Sequence, residues 1–414
     1  MLSDSPMPDQ AHEILEQLRY GIPPADHVRW LTVGRDEQLA KLEASLRGTA
    51  SGPRALLIKA NYGGGKSHLL QVIRRTALDA GYAVSLVVVD AQGGVRFNRM
   101  DTVLGAVSQR LEVPGASRIG VGSLFDAFSA LPECDQAYET LMRNAREGMQ
   151  PLRDAISSGG RWYGSKVLRS PAVYVALRAW TVSPTRAVRR LVEDWLSSPF
   201  NYRGQCRLLY QTLVRGIWTK IWADALKERD YYDRGVFSFH PDNYRQAWDA
   251  LADFDLLARA SGLRGLVLIF DEFEDVIQNL NRRDLQEQAV QNLLRFFDNP
   301  CYPGKSYFAV TPDFFARTFC ELIQRRAYDL DFHRLSELPS LAIDQLSANH
   351  VFDLGVRIRS LHATAYAWDA EGTLPDPDLE QIVRCVWRVN SPERVRRAIQ
   401  TIVRTLDEKL DGSA

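Results

Sequence analysis

The hydrophobic pattern changes period along the chain, and each change marks an element. Residues 11–21, AHEILEQLRYG, carry Ile14, Leu15 and Leu18 at helical spacing and stop at Gly21. Residues 1–10, rich in Ser, Pro and Asp, read as a flexible tail ahead of that helix. A second amphipathic helix is predicted from Leu39, Leu42 and Leu46. The run Ala55-Leu56-Leu57-Ile58 is then continuously apolar and bounded by Gly52-Pro53 and a glycine-rich loop, the pattern of a strand buried on both faces of a parallel sheet. A helix from SHLLQVIRRTALDAG and a second buried strand, Val84–Val89, complete a βαβ unit. A third buried strand is predicted at 265–270, a long helix at about 284–298, and a fourth strand at Tyr307–Val310. From about 340 onward the pattern reads as helical, and the last helix opens on Ser391-Pro392-Glu393.

Between 113 and 255 there is little β-branched clustering, many helical periods, and six of the nine tryptophans (Trp162, Trp180, Trp195, Trp218, Trp222 and Trp248). Core packing accounts for those rings more readily than base stacking does. The expected architecture is therefore α/β, a parallel sheet with a mostly helical insertion and a C-terminal helical lid. Its parts are 1–112 (N-terminal helices and the glycine-loop half of the core), 113–255 (insertion), 256–340 (the Asp-Glu half) and 341–414 (lid).

Composition narrows the function classes. With 51 basic and 51 acidic residues the formal net charge is zero, so no bulk field draws the chain to nucleic acid or membrane. Arginine outnumbers lysine, and local arginine clusters suit bidentate phosphate contacts. The five scattered cysteines contain no CxxC pair, which argues against a disulfide framework or a zinc module. The first residues lack the basic-then-apolar order of a signal peptide, and no window approaches the ~20 apolar residues of a membrane span. The expected location is cytoplasmic, with no membrane contact.

The chemistry concentrates at two strand ends. Ala60-Asn61-Tyr62-Gly63-Gly64-Gly65-Lys66-Ser67 lies between a predicted strand and a predicted helix, the context in which a glycine loop turns its backbone N–H groups around a phosphate. Lys66 is placed to reach the β- and γ-phosphates, and Ser67 to offer a hydroxyl to Mg²⁺. The usual first glycine of the pattern is Ala60 here. The second strand end, GLVLIFDEFED, puts Asp271 where a carboxylate can hold Mg²⁺ and Glu272 where one can polarise water. Glu274 and Asp275 read as ordinary surface acids. Thr311, at the end of the fourth strand, can orient the lytic water or contact the γ-phosphate. Arg325 and Arg326 are candidates for an arginine finger reaching a neighbouring subunit. Arg394 can fold back from the lid onto the nucleotide, and Gly34-Arg35 can belong to the base and ribose pocket.

The order of these motifs resembles the AAA+ and STAND-like ATPases, origin-licensing initiators included, and the resemblance implies a P-loop NTPase core of AAA+/ASCE-like type. More specifically, GIPP…VGRDEQLAKLEASL, NYGGGKSHLL, RRTALDAG, VSLVVVD and VRIRSLHATAYAW resemble the BREX phage-defence ATP-binding proteins of the BrxD and BrxC type. Tyr62 before the glycines and His68 after Lys66-Ser67 are the distinctive positions and join the expected nucleotide pocket. The resemblance covers nearly the whole chain and is weakest in the insertion. It implies a defence-system ATPase using ATP and Mg²⁺, working with other defence-system proteins, and it favours adenine, since no NKxD-type guanine motif is present. DNA is a further candidate partner, through Arg178, Arg186, Arg189 and Arg190 in the insertion or Arg396, Arg397 and Arg404 near the C-terminus, with homo-oligomerisation compatible. Two alternatives stay open: a nucleotide-gated switch or scaffold with little turnover, and an oligomeric DNA-loading or translocating motor.

Overall fold

The computed structural model describes the chain except residues 1–5, 26, 48–52, 62, 90–93, 131–167, 183–184, most of 199–243, 274–279, 281, 299–300, 315, 317, 319, 321–331, 390, 392 and 414. The helices α1 (Pro8–Arg19) and α2 (Asp36–Arg47) precede β1 (Ala55–Lys59), α3 (Lys66–Asp79), β2 (Ala83–Val88), α4 (Met100–Gln109) and β3 (Leu111–Glu112). Then come α5 (Val121–Ser129), α6 (Pro171–Val182), α7 (Arg186–Ser197) and α8 (Tyr244–Ala260), which runs across the expected 255/256 division. The order continues with β4 (Leu266–Asp271), α9 (Arg283–Phe297), β5 (Lys305–Val310), α10 (Phe332–Ser336) and β6 (Ser340–Ala342). The chain closes with α11 (Ala348–Tyr366), α12 (Ala370–Thr373), α13 (Asp376–Trp387) and α14 (Arg394–Ser413).

Six strands form one sheet in the order β3-β2-β4-β5-β1-β6, parallel except for the β2–β3 pair. Strand β4 is buried at all six positions, and its side chains alternate between two apolar clusters. Leu266, Leu268 and Phe270 join one, Val267 and Ile269 the other. The second cluster is closed by α2 and α3 through Leu42, Leu46, Leu69, Leu70 and Ile73. The first is closed by α4 to α9, so the described helices of the 113–255 stretch lie on the sheet itself. Trp180, Trp195 and Trp248 are all within it, at most 2% exposed. Asp253, on α8, accepts backbone N–H bonds from Arg169 (2.9 Å) and Ser170 (2.7 Å) just ahead of α6, which fixes that helix to the sheet layer. Burial pushes this carboxyl up to about 8, against the pull of those donors.

Two strands depart from the expected reading. The helical pattern expected from about 340 gives way to β6, which pairs in parallel with β1 at Leu57, Ile58 and Lys59. The cause is a short period-2 run: Leu341 and Ile343 are buried while Ser340 and Ala342 are exposed. The other added strand, β3, has two residues and no readable period. The N-terminal helix also starts at Pro8, inside the expected tail.

A third apolar cluster is made by the C-terminal helices α11, α13 and α14 together with α1, whose Ala11, Ile14, Leu15 and Leu18 pack among Val351, Ile358, Ile402 and Leu406. A polar chain ties the same helices. Arg19 donates to both carboxylate oxygens of Asp407 (2.9 and 2.7 Å) and to Tyr366 Oη (2.8 Å). Trp368 Nε1 donates to His362 Nδ1 (2.9 Å), so the neutral imidazole carries its proton on Nε2, 3.0 Å from Asp407 Oδ1. Burial holds the His362 pKa below its ordinary value, which favours this neutral state.

Candidate functional site

The sheet register brings the loop 60–67 and the strand ends of β4 and β5 to one edge. Ala60 N–H donates to Val310 O (3.1 Å), and Phe273 N–H donates to Ala309 O (3.2 Å). Thr311 therefore stands between the start of the glycine loop and the Asp271–Glu272 turn. Ligands in open parallel α/β sheets bind at this edge.

The glycine loop is shaped by its sequence. Gly65 stands at the N-cap of α3 with φ 87°, a conformation that side chains rarely adopt. At Gly64 a Cβ would stand 2.9 Å from Asn61 O, the acceptor of Gly64's own N–H. Gly65 supplies no side-chain cap, and a helix start of this kind offers amide donors and partial positive charge suited to phosphate. Lys66 is buried at that start and Ser67 is exposed beside it.

At the facing strand end, Asp271 is 7% exposed and its Oδ1 accepts the Glu272 N–H at 2.9 Å. Glu272 is exposed and has φ 55°, in the left-handed region. Phe273, 1% exposed, pins the next residue among Phe97, Phe308 and Phe314 with ring centroids at 4.7, 5.1 and 6.0 Å. Thr311 is 3% exposed, and its Oγ1 is a buried oxygen with no hydrogen-bond partner among the described residues. A buried hydroxyl without a partner costs roughly 1–3 kcal/mol.

The strain at Glu272 has a measurable sign. Left-handed backbone costs a non-glycine residue about 1–2 kcal/mol, whereas glycine in an ordinary conformation destabilises by about 0.5–1 kcal/mol through the unfolded chain. Glu272→Gly is therefore expected to leave stability unchanged or raise it by up to about 1 kcal/mol. Urea denaturation reads this directly, and a clear loss of stability would exclude strain at the turn.

Other expected site residues lie further out. Arg35 is buried and donates to Gly64 O (3.0 Å) and to Asp344 O. His68 Nε2 is 2.9 Å from Thr32 Oγ1. Because the Thr32 hydroxyl hydrogen goes to Val28 O (2.8 Å), His68 donates from Nε2. Burial and the Arg35 cation hold its pKa down to about 4, so the ring is neutral at neutral pH. Gly34 faces the His350 ring. Arg394 lies over Trp387 at 4.4 Å and donates to Gln345 Oε1 at 2.5 Å. Tyr62, Arg325 and Arg326 lie outside the described residues, as do Glu274 and Asp275. Sequence reasoning missed Asp344 and Gln345, which act through a backbone carbonyl and an amide and carry no motif.

A mostly parallel α/β sheet whose edge carries a glycine loop running into a helix start, opposite a turn of buried Asp271 and exposed Glu272, is consistent with a P-loop nucleotide-binding protein. The family model of the BREX system ATP-binding protein BrxC/D matches residues 7–131 and 243–412, and the chain belongs to that family. The matched segments hold the glycine loop, Asp271, Glu272, Thr311 and the C-terminal helices, while 132–242 lies outside the match. A comparison with curated proteins gave no match. Membership supports an ATP-binding role in phage defence and points to other proteins of the BREX system as partners. Among the described residues, no helix is long and apolar enough to cross a membrane.

Proposed function

We propose that the chain is an ATPase of AAA+/ASCE-like type whose site is the edge formed by 60–67, Asp271, Glu272 and Thr311. The observation that carries this reading is the buried Thr311 hydroxyl between the glycine loop and the Asp-Glu turn. The strand order supports it, since β5 lies between the phosphate-loop strand β1 and the Asp-Glu strand β4 and so sets Thr311 between the two halves of the site. In this reading the loop amides and Lys66 hold the β- and γ-phosphates. Ser67 and Asp271 are the residues that would hold Mg²⁺, which supplies charge neutralisation on the phosphate oxygens. Glu272 takes a proton from water as its oxygen attacks the γ-phosphorus and the bond to the bridging oxygen breaks, giving ADP and phosphate. Thr311 orients that water or the γ-phosphate.

A second reading, a nucleotide-gated switch with rare turnover, is favoured by the strained turn at Glu272, which can hold the carboxylate out of line until a partner acts. Of the two arginine clusters considered for DNA, two members of the insertion's have acidic or aromatic neighbours. Arg189 lies over Trp180 (5.0 Å) and near Asp126 (3.6 Å), and Arg190 faces Asp194 (3.7 Å). Arg396, Arg397 and Arg404 are exposed on α14 and form no ion pair among the described residues, so DNA contact is assigned there. Steady-state ATP hydrolysis with and without duplex DNA, for wild type, Lys66→Ala and Glu272→Gln, tests the whole reading. Activity that DNA raises and both substitutions remove supports it. Tight ATP binding with no turnover under any condition leaves the switch.

A further inference from the structure

Residues 28–35 cross between two packed bodies. Val28 belongs to the cluster between the sheet and α3, whereas Leu31 and Val33 belong to the C-terminal helical cluster. Polar bonds follow the same division. On the sheet side, Arg35 Nη2 donates to Gly64 O inside the glycine loop (3.0 Å), and His68, on the first turn of α3, donates to Thr32 Oγ1 (2.9 Å). On the other side, Arg357 of α11 donates to Thr32 O (3.0 Å) and Trp30 O (2.5 Å), while Arg35 Nη1 donates to Asp344 O in the connection from β6 to α11, one residue after Ile343 of the sheet cluster. The His350 ring fills the space where a side chain at Gly34 would stand, 2.6 Å from its Cβ position, and Gly34 has φ 60°. This stretch cannot shift against one body without breaking bonds to the other.

Among the described residues of this stretch, the Arg35 side chain holds both the glycine loop and the connection that leads into α11. It is 6% exposed and forms no ion pair among the described residues, and burial lowers its pKa. A buried guanidinium is tolerated only where its donors are satisfied, and here that means two backbone carbonyls fixed at once. Phosphate in such a loop is held by its backbone N–H groups, and a turn of the Gly64 peptide toward it would move the carbonyl that Arg35 holds, and with it the bond to Asp344. The neighbouring Gln345 holds Arg394 at the start of α14, and α11 begins three residues further on.

We propose that Arg35 is a positioning residue that ties the Gly64 peptide to the start of the C-terminal helical unit, so that nucleotide in the glycine loop sets the placement of that unit. The inference rests on the reading of 60–67 as the phosphate loop. It gives Arg35 a role beyond the expected base and ribose pocket, since its guanidinium bonds two backbone carbonyls. ATP binding and the C-terminal surface are then linked reciprocally: whatever that surface binds changes ATP affinity by the same factor.

The test is backbone hydrogen exchange on the full chain with Mg²⁺ and a non-hydrolysable ATP analogue, alongside binding of a fluorescent ATP analogue. In wild type, the analogue is expected to slow exchange across 343–351 by about 5-fold or more, the low end of ordinary coupling. Arg35→Lys keeps the charge but loses the planar fork that spans two carbonyls. It is expected to retain binding within about 5-fold while the protection at 343–351 falls below about 2-fold. Arg35→Ala is expected to behave alike, with its melting curve checked first; if it does not fold, Arg35→Lys decides. Full protection in a nucleotide-bound Arg35→Lys, or no change at 343–351 in nucleotide-bound wild type, overturns the coupling and leaves the phosphate loop intact. Wild type that binds no nucleotide overturns the phosphate-loop reading and this inference with it.

Discussion

With Glu272 replaced by glutamine, ATP turnover is expected to fall by about 10²–10⁴-fold with little change in ATP affinity, the range for loss of a positioned general base. That is about 3–5 kcal/mol of barrier. Glutamine keeps the size and the strained backbone of the turn but cannot accept the water proton. Lys66→Ala should behave differently, because it removes a cation from the phosphate cradle at the start of α3. There the loss appears in binding first, and turnover falls as a consequence. Equilibrium binding of a fluorescent ATP analogue together with single-turnover hydrolysis separates the two. Turnover in Glu272→Gln within a few-fold of wild type would remove Glu272 from the chemistry. Loss of binding in that variant would make Glu272 part of the metal or phosphate cradle instead.

The backbone geometry explains why Glu272 deserves this weight over its acidic neighbour. Asp271 ends β4 in register with Val88 and is buried, with one oxygen spent on the Glu272 N–H. Glu272 leaves the strand in a left-handed conformation, exposed, between that bond and the anchored Phe273 ring. A left-handed backbone at a non-glycine residue beside the glycine loop supports the proposal that the Glu272 side chain acts there. The two Glu272 variants thus form a pair. Glycine reports the strain through stability, and glutamine reports the chemistry through turnover.

What the sequence shows and what it hides follow from the range of the forces involved. Strand β4 was legible because six consecutive apolar positions can only be satisfied inside a sheet covered on both faces. The glycine loop was legible because local backbone geometry demands those glycines. β6 was hidden by its length: three residues on a sheet edge carry less pattern than the helix that follows. The partner of α1 was hidden for another reason. An amphipathic stripe states that a face is covered but not by what, and Ile14, Leu15 and Leu18 meet α11 and α14 from the far end of the chain. Arg35 and Arg394 show the same limit for polar groups. Motif order named both as candidate nucleotide contacts but could not name the protein groups that hold them, Gly64 O and Asp344 O for Arg35, Gln345 and Trp387 for Arg394.

The largest effect on stability is expected from Phe270, the residue before Asp271. Its ring is 0% exposed, stacks on Phe308 at 4.9 Å, and meets Phe97 and Phe296 edge-on at 5.4 and 5.6 Å. Truncation removes a full aromatic side chain from a cluster that cannot close up, since Phe308 is held by the β4–β5 ladder and Phe296 by α9. Phe270→Ala is therefore expected to cost about 3–5 kcal/mol, much of the ~5–15 kcal/mol by which a domain is ordinarily stable. Phe270→Leu fills most of the space and is expected to cost roughly 1–2 kcal/mol, with the aromatic contacts accounting for the remainder. Urea denaturation of both variants, followed at one protein concentration, gives the two numbers. A cost below about 1 kcal/mol for alanine would mean that the cluster relaxes around the gap. In that case Phe97, Phe296 and Phe308 would not form the rigid floor on which the Asp271–Glu272 turn is strained, and Glu272→Gly would lose its stabilising sign together with it.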